Sequence, residues 1–309
     1  MAEKIKIGIG APTYNSVSRL EQLLTSLEFY KDTNYDYKIV ILDDGTPDLN
    51  KRLEVKALAE RFGVDFIQHE KNEGIPKSWN DLVRHFDSEI SVLFNDDICV
   101  CDENWLKCIV YALENNEKVA CVGGPLIQID VMTGLPNKNY NLPDLENSVP
   151  GVAGAVVGCS FAFKRKAFDS VLGFESSIKS FYEETDFGFK LIEKGYYSVM
   201  LPYPPFEHRG SQTFANNQIL NIQHPDPILC SMEKYKEIMS KKYPIERIEP
   251  IPGFVYRMDY SRVLFSLKWG CEDFWDKPQC EVHSRLLDNR KTFKMKYLNS
   301  KLIEREVEI

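Results

Sequence analysis

The chain has 309 residues, 43% of them hydrophobic, enough to bury one large core or a core with an appended lobe, which excludes a disordered chain. Its formal net charge of −8 argues against a surface that is basic throughout and built to hold polyanions, so a phosphate-bearing substrate would need a cation or a focused site. Eight cysteines, a start at Met1-Ala2-Glu3-Lys4-Ile5-Lys6 without the apolar run of a signal peptide, and no stretch near the ~20 apolar residues of a membrane span predict a soluble, cytoplasmic protein with reduced thiols.

The first half alternates short β-branched runs with amphipathic helical stretches, the pattern of an α/β domain with a largely parallel sheet. Strands are predicted over Lys4 to Gly10, Tyr37 to Leu42, Val64 to His69 and Ile90 to Phe94. After the first strand, a Ser18 to Glu21 capping box introduces Leu20, Leu23, Leu24 and Leu27 at helical spacing. Gly63 is expected to stop the second helix. Trp79, Leu82, Val83 and Phe86 repeat the helical spacing with Pro76 in the first turn, and Leu106, Ile109, Val110 and Leu113 repeat it after Asp102. From Gly123 to Pro150 the periodicity breaks into Gly, Pro, Asn and Asp, which predicts loops or a hairpin carrying substrate contacts. Regular structure resumes at Gly158-Cys159-Ser160-Phe161-Ala162-Phe163, followed by a helix from Glu183 to Lys194 closed by Gly195 and a strand from Tyr196 to Leu201. Beyond Thr213 the pattern is less regular, with breaks at His224-Pro225-Asp226-Pro227 and Pro250-Ile251-Pro252-Gly253. The expected division is therefore a catalytic domain over 1–213 and a mainly helical extension over 214–309, serving acceptor binding or oligomerisation.

Ligands of open α/β sheets bind beyond the carboxyl ends of the strands, and the residues there are polar and acidic. The first strand runs into Ala11-Pro12-Thr13-Tyr14-Asn15 and the second into Asp43-Asp44-Gly45-Thr46. Either alone is what any tight turn selects; together they line a place where a carboxylate can accept from the imide N–H of uracil or thymine. The fourth strand ends in Asn95-Asp96-Asp97, hard oxygen ligands that suit Mg2+ or Mn2+ if they do more than cap the next helix. Phe181-Tyr182-Glu183-Glu184-Thr185-Asp186 gathers acids that either favour a helix dipole or stand beside an acceptor hydroxyl as a base. His208-Arg209 follows the last strand, where a metal ligand or phosphate contact would be useful, although a lone histidine is more often structural.

In order and spacing these segments resemble the family 2 glycosyltransferases of the GT-A fold, over the first two thirds of the chain. The resemblance implies a Rossmann-like, mostly parallel central sheet flanked by helices, a nucleotide-sugar donor and a divalent cation. It sets Pro12, Thr13, Tyr14 and Asn15 in the family's first turn, and Asp43 and Asp44 in its base-binding turn. Asn72-Glu73-Gly74 stands at the Asn-x-Gly element, with Asn80 on the helix that follows. Asn95-Asp96-Asp97 falls at the metal-binding DxD position, which implies Asp97 on the metal and Asp96 toward the donor sugar or ribose. Glu183-Glu184-x-Asp186 matches the ED-x-D signature, with Glu184 in place of its usual second aspartate, and His208 stands where the family places a late histidine near the diphosphate.

The implied reaction is a direct displacement at the anomeric carbon with inversion, with Glu184 as base and Asp97 and His208 on Mn2+ or Mg2+. No QxxRW motif or membrane helix accompanies these residues, so transfer of a single sugar from a UDP- or dTDP-sugar is expected rather than polymer synthesis. The acceptor would be a saccharide, a lipid-linked saccharide or a protein. Arg285, Arg290, Lys291, Lys294, Lys296 and Lys301, with Trp269 and Trp275, keep a nucleic-acid acceptor or an anionic membrane surface as an alternative. A module that binds nucleotide sugar or carbohydrate without catalysis is an alternative of another class. A sugar-nucleotide pyrophosphorylase is disfavoured, because Ala11 to Asn15 stand where it would carry a Gly-rich basic loop. Cys99, Cys101 and Cys108 lack the paired spacing of a structural zinc site.

Overall fold

The computed structural model describes residues 4–130, 135–137, 144–178, 181–209 and 292–309, with short runs and single positions between 261 and 286. Four strands, β1 (Lys6–Thr13), β2 (Asp36–Asp43), β3 (Asp65–Gln68) and β4 (Ile90–Phe94), alternate with α1 (Val17–Phe29), α2 (Leu49–Phe62) and α3 (Ile75–His85). There follow β5 (Ile98–Val100), α4 (Trp105–Glu114), β6 (Val119–Gly123), β7 (Leu126–Gln128), β8 (Gly151–Ala153), β9 (Ser160–Lys164) and α5 (Arg165–Ser170). Then come α6 (Glu183–Glu193), β10 (Tyr197–Met200), β11 (Phe206–His208) and a closing pair, β12 (Lys294–Leu298) and β13 (Glu304–Glu308).

The main sheet has the order β3-β2-β1-β4-β9-β6-β10-β8. Pairing is parallel from β3 to β4 and between β6 and β10, while β9 runs antiparallel to both its neighbours and β8 antiparallel to β10. A mostly parallel sheet between helices is what the sequence predicted. Because β9 is reversed, its amino end and the carboxyl ends of β1, β2, β3 and β4 lie on the same edge. A small second sheet, β5-β11-β7, rises beside that edge.

The strands alternate between two apolar layers, as strands buried on both faces must. Ile7, Ile9, Ile41 and Val92 pack with Leu20, Leu23, Leu24 and Leu27 of α1 and with the buried row of α4. Val40, Leu42 and Leu93 face the other way, against Trp79, Leu82 and Val83 of α3 and the phenylalanines Phe163, Phe168, Phe174 and Phe187. Each fully buried leucine contributes roughly 1.5–3 kcal/mol.

Several boundaries differ from expectation for local reasons. The first helix is capped at Ser16 without a side-chain bond, so the Ser18 to Glu21 capping box does not form; Glu21 instead pairs with Arg61 at 2.6 Å. β1 continues past Gly10 because pairing with β2 runs on to Thr13 opposite Asp43. Gly63 does stop α2, in the left-handed conformation. In the Gly123 to Pro150 stretch, Ile129 bridges Pro136 antiparallel, a hairpin beyond β7. Helix α5 and the short strands β5, β6, β7 and β11 had no periodicity long enough to announce them.

In the stretch expected as a helical extension, the described residues 264–266 and 282–284 are helical, but the chain ends in the β12–β13 hairpin. That hairpin is part of the main core: Met295 and Tyr297 join the α1 and α4 layer, and Asn116 holds Lys296 through both its amide atoms. Among the described residues no helix is long and apolar enough to cross a membrane.

Close approach of α3 to β1 depends on a missing side chain at Gly8, where an added Cβ would lie 2.3 Å from Cγ of buried Phe86. Gly8→Ala should therefore destabilise the chain by about 1–3 kcal/mol in urea unfolding. Gly151→Ala, whose Cβ meets nothing within 4 Å, is the matched control and should leave the midpoint unchanged.

Candidate active site

The carboxyl edge of the sheet brings Thr13, Asp43 and Gln68 side by side in register, with Asn95, Asp96 and Asp97 following β4 and Gly158, Cys159 and Ser160 entering β9. Asn95 N–H donates to the Cys159 carbonyl at 2.8 Å, tying the two segments together. The edge collects carboxylates, and the structure treats each differently.

Asp97 is buried, with Arg19 Nη1 at 3.6 Å and His208 Nε2 at 3.3 Å from its Oδ2. Its Oδ1 is buried with no hydrogen-bond partner. His208 Nδ1 lies 2.8 Å from Gln128 Oε1, so Nδ1–H donates there and Nε2 is the nitrogen turned toward Asp97. A buried oxygen without a donor, beside an imidazole nitrogen whose partner atom is already engaged, fits a divalent cation held between Asp97 and His208. The Asn95 side-chain oxygen is buried without a partner as well.

Asp96 points back into β1, where it accepts from Thr13 Oγ1 at 2.6 Å and from the Tyr14 backbone. Burial first, and the neighbouring Asp97 second, push its carboxyl from an ordinary 3.8 up to about 7. The Thr13 and Tyr14 bonds and the positive charge of Arg19 oppose that rise.

Across the edge, α6 begins with Glu183 and Glu184. Burial raises the Glu184 carboxyl to about 6, and burial together with Glu184 raises Glu183 well above its ordinary value. Adjacent acids raised in this way disfavour ionising together. Gly158 lies against it: a Cβ there would stand 3.0 Å from the Glu184 carboxyl carbon. Burial raises the Cys159 thiol strongly, and both Asp97 and Glu184 add to it, so this cysteine stands within electrostatic reach of both carboxylates.

Other predicted site residues are engaged elsewhere. Asp43 is fully buried and accepts from Thr46 N–H at 3.2 Å. Asp44 accepts from His69 Nδ1 at 2.8 Å, from Glu73 N–H at 2.9 Å and from Gly74 N–H at 3.0 Å. His69 also meets Asp81 at 3.0 Å, and these bonds, Asp44 first, raise its pKa. Asp44 therefore holds the Asn72-Glu73-Gly74 loop in place, while Asp43 closes its own turn onto Thr46. Gly45 permits this, since a Cβ there would meet the Lys71 backbone at 2.1 Å. Asn80 is likewise spent on structure, bonded to Phe174 N–H and O, each at 2.9 Å. Asn15 takes a positive φ of 59°, donates its N–H to Thr46 and accepts from Lys51, and Pro12 is buried in β1. Asp186 is fully buried and accepts from Trp269 Nε1 at 2.9 Å, with Lys268 Nζ at 2.6 Å, contacts that anchor α6. A cavity of about 310 Å3 lined by Gln68, His69, Glu70, Lys71, Glu73 and Lys77 opens next to the loop that Asp44 holds.

Arg19, Gln128, Gly158 and His69 went unnoticed in the sequence. Each acts on a partner far along the chain, His208 and Gln128 being 80 positions apart, and no local pattern marks such pairs. The tail residues read as a basic surface are also placed differently. Trp269 is buried, Lys294 pairs with Glu306, Lys296 with Glu304 and Lys301 with Glu146; Trp275, Arg285, Arg290 and Lys291 lie outside the described residues.

The model of the family described as Glycosyl transferase family 2 matches residues 9–172. Among solved structures, the chain is similar to the mannosyltransferase PcManGT from Pyrobaculum calidifontis in complex with GDP-Man and Mn2+, at 16% identity and a TM-score of 0.54, covering 94% of this chain and 77% of that one. It is also similar to GalNAc-T7 with UDP, GalNAc and Mn2+, at 14% identity and a TM-score of 0.58, covering 93% of this chain and 55% of that one. At such identities the likeness is one of fold, and the fold is GT-A.

The raised Asp96 carboxyl makes a prediction about stability. Its folded pKa, about 7, exceeds the ordinary 3.8, so the folded state holds the proton more tightly and the stability this gives is lost as pH rises through 7. Asp96→Asn removes the ionised form and should raise Tm by roughly 2–5 °C at pH 8 and by much less at pH 4. Scanning calorimetry at the two pH values checks this, and an equal loss of Tm at both would contradict it.

Proposed function

The chain belongs to glycosyl transferase family 2, and we propose that it moves a single sugar from a nucleotide-diphosphate sugar to an acceptor hydroxyl, with inversion and with the help of Mn2+ or Mg2+. The observation that carries this reading is the facing pair of Asp97, with its buried unpartnered Oδ1, and His208 Nε2, placed one short segment away from the Glu184 carboxyl.

In the proposed reaction the acceptor oxygen attacks the anomeric carbon from the side opposite the diphosphate. The bond from that carbon to the diphosphate oxygen breaks, its electron pair leaves with the diphosphate, and the acceptor proton passes to Glu184. Burial and the neighbouring Glu184 raise the Glu183 carboxyl well above its ordinary value, which disfavours ionisation of both acids at once. Asp97 and His208 would hold the divalent cation, whose charge offsets that developing on the departing diphosphate. Among the described residues no three His, Cys, Asp or Glu side chains gather as a complete metal cage. Two protein ligands, with the rest supplied by water and diphosphate, are what such cations accept.

The donor we favour is a UDP- or dTDP-sugar, seated at the turns after β1 and β2. Since Asp43 is bonded to Thr46 and Asp44 to His69, Glu73 and Gly74, the base would be read by the loop that Asp44 holds and not by these carboxylates. A saccharide, a lipid-linked saccharide or a protein is the acceptor we propose, in a soluble protein of the cytoplasm. A nucleic-acid acceptor gains no support, because the described lysines of the tail are paired with glutamates and Trp269 is buried.

Glu184→Gln is isosteric and removes only the proton acceptor. It should retain nucleotide-sugar binding and lose transfer by about a hundredfold or more. In the unaltered chain, kcat/KM should fall as pH drops through about 6, where Glu184 takes up a proton, and the variant should lose that limb. Normal turnover by Glu184→Gln would exclude Glu184 as the base.

A further inference from the structure

The first turn of α6 is reached through strained backbone. Phe181 and Tyr182 hold φ values of 64° and 67°, two successive left-handed residues with bulky side chains. Such conformations persist only where the surroundings enforce them, and they occur where a structure must aim a functional group. Here the next two residues are Glu183 and Glu184.

What enforces this turn comes from the far end of the chain. The Tyr182 ring meets Phe265, a fully buried side chain, at 5.1 Å. Phe265 and Trp269 also flank Phe189 of the same helix, each at 5.4 Å. One turn in, Asp186 bonds back to the Tyr182 carbonyl through its N–H at 2.8 Å. Its carboxylate meets Trp269 Nε1–H at 2.9 Å, Lys268 at 2.6 Å and Lys190 at 3.5 Å. Lys268 reaches on to Glu175 at 3.7 Å, tying the segment before α6 into the same network.

We propose that Phe265, Lys268 and Trp269 form a clamp from the C-terminal part of the chain that holds the strained first turn of α6, and that Trp269 acts through Asp186 as a positioning residue for Glu184. The proposal rests on the reading of Glu184 as the base. A buried carboxylate that lost these donors would have its charge poorly compensated inside the protein, so the turn carrying both glutamates would open. The C-terminal part of the chain is then a component of the catalytic device.

The test uses the full chain with Trp269→Phe, which keeps a ring against Phe189 and Phe265 and removes only the N–H given to Asp186. Hydrogen–deuterium exchange, without ligand, should show amides of 183–188 exchanging about tenfold faster while peptides of β1 and β2 are unchanged. With whichever of UDP-glucose and GDP-mannose the unaltered chain consumes, kcat should fall about tenfold while KM stays within about twofold. Lys268→Gln is the second variant if Trp269→Phe does not fold, with the same expectation. Unchanged exchange in 183–188, or faster exchange with kcat untouched, would overturn the proposal. Glu184→Gln measured in parallel separates the two ideas: its normal turnover beside loosened exchange in Trp269→Phe would remove the base assignment and leave the clamp.

Discussion

Carboxylates crowded at one end of one sheet govern this structure. Asp97 and Glu184 flank the segment that opens β9, with Asp96 and Glu183 next to them in the chain, and Asp97 and Glu183 are buried. Like charges so placed cannot all ionise without compensation. Three features follow: Arg19 stands beside Asp97, the Asp96 and Glu183 carboxyls are raised above their ordinary values, and Asp97 Oδ1 is buried without a donor. The last is a cost that a cation would remove.

The fold makes this crowding possible through reversal and close approach. Reversing β9 between β4 and β6 puts its amino end on the edge where the parallel strands finish. Gly158 then sits where any side chain would press on the Glu184 carboxyl, and Gly45 lets the second turn lie against Lys71. Other acids serve as internal acceptors. Asp44 organises the loop before α3, and Asp186 binds α6 to residues over eighty positions later. Similar residues on one edge thus divide into those that shape the site and those left to react.

Much of this was legible in the sequence. Short β-branched runs and helical spacings located β1, β2, β3, β4 and the helices after them, since each buries apolar residues that stand together in its own segment. Asn95 to Asp97 and Glu183 to Glu184 stood out because acids after a buried strand or at a helix start are visible without knowing their partners. The division of labour among the acids was hidden. Whether Asp44 or Asn80 faces a ligand or the protein depends on bonds to Glu73, Gly74 and Phe174, formed only when distant segments meet. The Ser18 to Glu21 pattern failed for a related reason: tertiary pairing with Arg61 outcompetes a local cap. Trp269 read as a surface aromatic because nothing near it in sequence reveals the buried Asp186.

The central claim is that Asp97 and His208 are the protein's hold on a divalent cation. Crystals grown with UDP and Mn2+ and measured at the manganese absorption edge test it most directly. The expected result is an anomalous peak in contact with an Asp97 carboxylate oxygen and His208 Nε2, with the diphosphate on the same ion. Bound UDP with manganese on other residues, or with none at Asp97, would contradict it.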